Sequence, residues 1–121
     1  MLLPDLYTIK HFSFSEGTVN AEIVINSTHE IFKGHFPGNP ILPGVCSLEI
    51  VKELIEKAIN KKLTLSVANN VKFMAVINPD KTPQLKIVMD IAEVDDIIKI
   101  KNVTSFGDTI AIKMSAHYKI N

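Results

Sequence analysis

The chain has 121 residues, 46% hydrophobic and 21% charged, a balance typical of a globular protein, and this length predicts one domain over residues 1–121. Its 13 basic and 13 acidic residues cancel, which argues against general attraction to nucleic acid or to an anionic membrane. A single cysteine excludes an intrachain disulfide, and the sequence shows neither a signal-peptide pattern nor the roughly 20 apolar residues of a membrane span, so we expect a cytoplasmic protein.

The first predicted element is a strand in which Ala21, Ile23 and Ile25 recur with a period of two. A segment of unusual composition follows. Gly34 to Gly44 hold three of the five glycines and three of the six prolines. Each proline fixes its own φ and pushes the preceding residue toward extended geometry. This composition excludes a regular helix or a central strand and predicts a stiff loop.

Directly after this loop, the spacing of apolar residues predicts one helix, from about Val45 to Asn60. Its apolar stripe consists of Leu48, Val51, Leu54, Ile55, Ala58 and Ile59. The opposite face is polar, with Glu49, Lys52, Glu53, Glu56 and Lys57.

Most of the remaining chain alternates with the period of strands. The predicted strands are Thr64 to Val76, Leu85 to Ile91, Ile98 to Ile100 and Ile110 to Ile120, with a turn at Gly107–Asp108. Clear alternation is typical of antiparallel sheets that have one face in water. The single helix must bury its stripe against this sheet, so the sequence predicts an α+β protein with a curled antiparallel sheet around one central helix.

Two side chains are candidates for acid–base chemistry. His35 lies inside the stiff loop, where it is either a well-positioned general base or an ordinary surface histidine. Glu49 opens the polar face of the helix and is either solvated there or placed at the dry end of the apolar stripe. Desolvation and the like charge of Glu53 would then favour its protonated form.

The start of the helix supplies a third candidate element. The first amides of a helix have no internal partner and favour negative charge, so the Gly44 and Val45 N–H groups could hold a developing oxyanion. A metal site is not predicted, because His29, Glu30 and His35 do not lie on a helix that would align them as ligands. No phosphate-binding loop or nucleophile elbow is present in the sequence.

The segment FKGHFPGNPILPGVCSLE, from Phe32 to Glu49, resembles the signature of the 3-hydroxyacyl-acyl-carrier-protein dehydratases of type II fatty-acid synthesis. The resemblance rests on GHFP, then P-x-x-P-G-V, then an acid fourteen residues after His35. Glu49 matches the FabZ type, since the FabA type has Asp there. VKFMAVINPDKTPQL, from Val71 to Leu85, and the closing DTIAIKMSAHYKI are similar to the same family.

This resemblance implies a hotdog fold and a homodimer, either alone or as a trimer of dimers, in which His35 of one subunit meets Glu49 of the other. It implies a substrate carried on the phosphopantetheine of an acidic acyl carrier protein, and no cofactor of the enzyme's own. The family usually has Gln at the position of Glu53, where it supports the acid by hydrogen bonding.

Four further positions complete the prediction. Phe36 and Phe73 are candidate substrate-tunnel residues, although the sequence favours an ordinary core position for Phe73. Lys33 and Lys72 are candidate carrier-protein contacts. The expected activity is dehydration of (3R)-hydroxyacyl thioesters to trans-2-enoyl thioesters. A hotdog acyl thioesterase and a non-catalytic acyl or carrier-protein binder are the alternatives, and Glu53 in place of Gln is the feature that favours the binder.

Overall fold

The computed structural model describes residues 4–33 and 40–121. Along the chain, these residues form β1 (Tyr7–Ser15), β2 (Thr18–Ile25), a short 3₁₀ helix (Glu30–Phe32), α1 (Gly44–Ile59), β3 (Leu63–Phe73), β4 (Gln84–Val94), β5 (Ile97–Phe106) and β6 (Thr109–Ile120). The strands make one six-stranded sheet in the order β1-β2-β4-β5-β6-β3, and neighbouring strands are antiparallel. β1 and β3 are therefore the edges of the sheet.

Two-residue turns connect three of the antiparallel pairs. Glu16–Gly17 joins β1 to β2 and Asp95–Asp96 joins β4 to β5, with positive φ at all four residues. Positive φ at both central residues suits the right-handed twist of a hairpin. The third turn is Gly107–Asp108, as predicted, and Gly107 has a φ of 55°. These turns fix the register of the hairpins from local sequence.

The helix begins and ends within one residue of its predicted limits. Asn60 terminates it in the left-handed conformation, φ 56°, and its N–H donates to the Glu56 carbonyl at 2.8 Å. The buried helix residues are Cys46, Ser47, Ile50, Val51, Leu54 and Ile55. The predicted stripe was thus rotated slightly, since it omitted Ile50 and included Leu48, which is only partly buried.

The core lies between this helix and one face of the sheet. Its strand residues include Val19, Ala21, Ile23, Leu85, Ile87, Met89, Ile98, Ile100, Ala111, Ile112, Met114, Ala116 and Tyr118. An antiparallel sheet around one central helix is the hotdog fold, and the prediction of fold class is confirmed. Within the described ranges, we find no helix that is long and apolar enough to cross a membrane.

The sequence prediction missed β1, ended β3 too late and included only part of β5, which extends to Phe106. β1 is an edge strand without a fully buried residue, and its register with β2 shifts between Ile9 and His11, so its alternation is weak. In β6, Ile110 is 38% exposed while Ala111 and Ile112 are buried. The inward alternation predicted from Ile110 fails there because the register with β5 is irregular. β3 ends at Phe73, before the predicted Val76.

Candidate active site

Glu49 lies in the second turn of α1 and faces a pocket of about 480 Å³. Its side chain is 14% exposed, and its Oε1 lies 3.3 Å from the Lys52 Nζ, one turn along the helix. The carboxyl group is therefore mostly enclosed, with one cation beside it.

The walls of this pocket come from α1, β3, the 3₁₀ helix and β6. Most of the lining residues are apolar: Ile31, Val45, Cys46, Leu48, Leu63 and Leu65. Cys46 is a possible nucleophile by residue type, but burial raises the pKa of its thiol. A raised pKa keeps the sulfur protonated and unreactive. Glu49 is thus the better candidate for chemistry in this pocket.

At the start of α1, two backbone donors have no acceptor among the described residues. Its N-cap, Pro43, provides no side-chain hydrogen bond, and the Pro43 carbonyl accepts from the N–H groups of Cys46 at 3.0 Å and Ser47 at 3.2 Å. The Gly44 and Val45 N–H groups donate to none of the described residues. They are available for a ligand oxygen, which is what an oxyanion site requires. Their role as such remains a prediction.

Gly44 lines a second pocket, of about 540 Å³, together with Phe73. A Cβ atom on Gly44 would lie 2.8 Å from the Phe73 Cζ, so the absence of a side chain lets this ring pack on the helix start. Phe73 is 56% exposed. Because Glu49 and Phe73 line different pockets of the single subunit, the tunnel role of Phe73 also remains a prediction.

Glu53 has a partner other than Glu49. The Tyr7 hydroxyl donates to Glu53 Oε1 at 2.8 Å. Burial and the neighbouring Glu53 carboxylate raise the pKa of Tyr7, which keeps this donor protonated. In the described part of the chain, Glu53 makes no hydrogen bond to Glu49. A carboxylate can only accept, whereas the amide of Gln can donate, so the acid-supporting role of Glu53 is an untested prediction.

Tyr118 is the site residue that the sequence prediction missed. It was assigned to the inward face of the last strand, where it is indeed 1% exposed, but it also lines the Glu49 pocket. Burial, and then the charge of Glu49, raise the pKa of its hydroxyl. The sequence did contain a signal for this residue, a tyrosine at an inward position among aliphatic residues. Buried tyrosine hydroxyls usually have polar partners, so such a position is a candidate for a polar site.

His35 and Phe36 lie outside the described residues, so their predicted roles are not tested. Lys33 is exposed just after the 3₁₀ helix. Lys72 is exposed on β3, directly across from Lys113 on β6. No group of three potential metal ligands occurs in residues 4–33 and 40–121.

Comparison with known proteins identifies the family. The model of ApeI-like proteins, described as ApeI dehydratase, matches residues 11–106. The chain belongs to the ApeI-like dehydratase family. Its curated relatives include 3-hydroxyacyl-[acyl-carrier-protein] dehydratases FabZ, from Clostridium acetobutylicum at 31% identity and from Lactobacillus helveticus at 30%. Each alignment covers 72% of this chain, but only 61% and 63% of the respective relative, so the chain spans less than two thirds of their length.

Solved structures support the fold of this family member. The dehydratase heterocomplex ApeI:P from Xenorhabdus doucetiae contains a chain that matches with a TM-score of 0.76 and 19% identity, covering 93% of this chain and 96% of that one. A hypothetical thioesterase with coenzyme A from Streptococcus pneumoniae matches with a TM-score of 0.68 and 8% identity, covering 95% and 85%. At these identities the similarity establishes the hotdog fold and no particular activity.

Proposed function

We propose that this protein dehydrates (3R)-hydroxyacyl thioesters of acyl carrier protein to trans-2-enoyl thioesters. The observation that carries the proposal is Glu49, an enclosed carboxyl group in an apolar pocket that Val45 also lines. The first amides of this helix, those of Gly44 and Val45, donate to none of the described residues. The family supports the same reaction class. An apolar pocket suits an acyl chain, and the carboxyl group and amides suit the polar atoms at its thioester end.

In the proposed mechanism, neutral His35 removes the proton on the carbon α to the thioester carbonyl. The Gly44 amide, with that of Val45, stabilises the enolate-like oxygen. Protonated Glu49 donates to the β-hydroxyl, whose C–O bond breaks as the double bond forms, and the hydroxyl leaves as water. Each positioned acid or base contributes about 10²–10⁴ in rate, and one oxyanion donor about 10²–10³.

The ion pair between Lys52 and Glu49 affects the protonation state that this mechanism requires of Glu49. A carboxyl group that pairs with an ammonium group is ionised, whereas the mechanism needs a protonated Glu49. The proposed mechanism therefore includes a step in which Lys52 moves away from Glu49 before the proton is donated.

The test uses a short 3-hydroxyacyl thioester of pantetheine or acyl carrier protein. Conjugated enoyl absorbance should appear with the unmodified protein and be nearly abolished in His35→Ala and Glu49→Gln. Glu93→Gln, an exposed acid on β4, is the control and should retain the rate. Release of free thiol without enoyl product would indicate the thioesterase instead. Carrier binding with neither product would indicate the non-catalytic binder.

We also propose a homodimer formed through β3. In this edge strand, nine of the eleven residues are exposed, including Leu65 and Val67 at 41% and 45%. An exposed apolar edge is a template for pairing with another strand. Because Leu65 also forms a wall of the Glu49 pocket, a second subunit on this edge would extend that wall.

The dimer is testable by sedimentation of single-lysine variants. Val67→Lys should give the monomer mass, since an edge lysine opposes pairing. Phe14→Lys is the matched control, because Phe14 is 41% exposed on the opposite edge strand, β1. If Val67→Lys keeps the mass of the unmodified protein, the interface lies elsewhere.

For the carrier protein we propose a dock that includes Lys33 and Lys72. Lys72 lines a groove of about 330 Å³ with Lys101 and Lys113, and no carboxylate among the described residues pairs with these three lysines. Directly opposed lysines such as Lys72 and Lys113 destabilise a sheet, so the arrangement suits an acidic partner. Lys72→Glu should weaken carrier binding and reduce its salt dependence, and Lys10→Glu on β1 should not.

A further inference from the structure

The hydroxyl group of Tyr118 has no hydrogen-bond partner among residues 4–33 and 40–121. Its side chain is 1% exposed, so water in the Glu49 pocket reaches at most a small part of it. The residues across from it on the neighbouring strands are Leu65 and Ile98, both of which are apolar. A buried donor without a partner is destabilising, and buried tyrosines normally avoid it.

Tyr7 shows the usual arrangement in the same protein. It also lies close to the acidic residues of α1, but its hydroxyl donates to Glu53 at 2.8 Å. The two tyrosines therefore differ within residues 4–33 and 40–121, since only the Tyr7 hydroxyl has a hydrogen-bond partner there. This difference provides a matched control.

The position of Tyr118 limits what its partner can be. It lines the same pocket as Glu49, and no hydrogen bond joins the two side chains. Most of the other residues that line this pocket are apolar, among them Cys46 and Leu65. Such a pocket suits a ligand that has an apolar chain and a polar atom near the phenol and the carboxyl group.

We infer that Tyr118 is a specificity residue, whose hydroxyl donates a hydrogen bond to the β-oxygen of a 3-hydroxyacyl chain held beside Glu49. The substrate class in this inference rests on the proposed function. A hydroxyl oxygen has two lone pairs, so it can accept from Tyr118 while Glu49 addresses it from another direction. Because the hydroxyl of Tyr118 stays protonated, it remains a donor throughout the neutral pH range.

A site built around such a donor should reject chains that lack the oxygen, since the donor is then left unpaired. The probes are the pantetheine amides of 3-hydroxyhexanoic acid and of hexanoic acid. An amide replaces the thioester so that the α-proton is too weakly acidic for turnover. Calorimetric titration measures the affinity for each of the two amides in three proteins: the unmodified protein, Tyr118→Phe and Tyr7→Phe.

We expect the unmodified protein to prefer the hydroxylated amide. In Tyr118→Phe this preference should fall by about tenfold, which corresponds to one neutral hydrogen bond. The decrease should come only from weaker binding of the hydroxylated amide. Tyr7→Phe should keep the preference. An unchanged preference in Tyr118→Phe, or equal weakening of both amides, would overturn the inference.

Thermal unfolding provides a second measurement. Tyr118→Phe should not lower Tm, because the hydroxyl that it removes has no partner in the described part of the chain, whereas Tyr7→Phe should lower it. An equal decrease in both would mean that the Tyr118 hydroxyl is bonded within the protein, against the inference. The binding assay needs no turnover, so it tests this inference separately from the proposed reaction. If the unmodified protein has no dehydratase activity but Tyr118→Phe still loses the preference for the hydroxylated amide, only the proposed reaction is refuted.

Discussion

The contact between Gly44 and Phe73 gives a prediction that can be worked from distances. In Gly44→Ala the new Cβ would lie 2.8 Å from Cζ and 3.1 Å from Cε1 of the Phe73 ring. Carbon atoms in contact are normally about 3.5–4.0 Å apart, so the ring must move by at least about 0.7 Å. Phe73 can move, because 56% of it is exposed.

The size of the effect follows from the part of the ring that is buried. A phenylalanine side chain has about 200 Å² of surface, and burial of a little under half of it stabilises the protein by roughly 2 kcal/mol. This value is the upper limit of the stability that Gly44→Ala can remove. Alanine favours a helix over glycine by about 0.5–1 kcal/mol, which offsets part of it. Gly44→Ala should therefore destabilise the protein by about 1 kcal/mol.

A double-mutant cycle isolates the contact. In a Phe73→Ala background the clash is absent, so Gly44→Ala should become stabilising by about 0.5–1 kcal/mol. Denaturant unfolding of the four proteins should give a coupling free energy of about 2 kcal/mol between the two positions. Additive effects, within about 0.5 kcal/mol, would refute the argument and show that the ring does not pack on Gly44.

Other predictions concern the turn, the core and the tyrosines. Asp96→Gly should raise the free energy of unfolding by about 0.5–1 kcal/mol, because Asp96 has a φ of 64°; Asp96→Ala is the control and should not. Leu54→Ala, at a fully buried helix position, should lower the free energy by about 2–5 kcal/mol in denaturant unfolding, and a loss below 1 kcal/mol would contradict the packing. The raised pKa values of Tyr7 and Tyr118 mean that the folded state holds both phenol protons more tightly than the unfolded state, where the pKa is the ordinary 10.0. The stability that this difference contributes is fully present below pH 10 and is lost as pH rises above 10. Between pH 10 and 11, the free energy of unfolding should fall less in the Tyr7→Phe, Tyr118→Phe double variant than in the unmodified protein. An equal decrease in the two proteins would contradict the raised pKa values.

Local sequence was sufficient for the elements that are buried on one side or terminated by a specific turn. The helix of α1 was predicted because its apolar spacing extends over four turns and ends before Asn60, which adopts the left-handed conformation that terminates it. β1 was missed because an edge strand with a register shift has neither full burial nor strict alternation. Glu49 was identified by its spacing of fourteen residues from His35 in a sequence that resembles the dehydratase signature. This spacing does not indicate which residues form the pocket around Glu49.

What the sequence by itself determined was the α+β class, the helix, the last turn and the candidate acid, because each depends on residues within one short segment. Only the tertiary structure decided what surrounds that acid. The sheet order places β6 between β5 and β3, which brings Tyr118 to Glu49 across 69 positions of chain, and the packing of β1 brings Tyr7 to Glu53 across 46. Periodicity reports which side of a strand faces inward, but the neighbours that meet there depend on contacts between distant segments, which no local pattern contains.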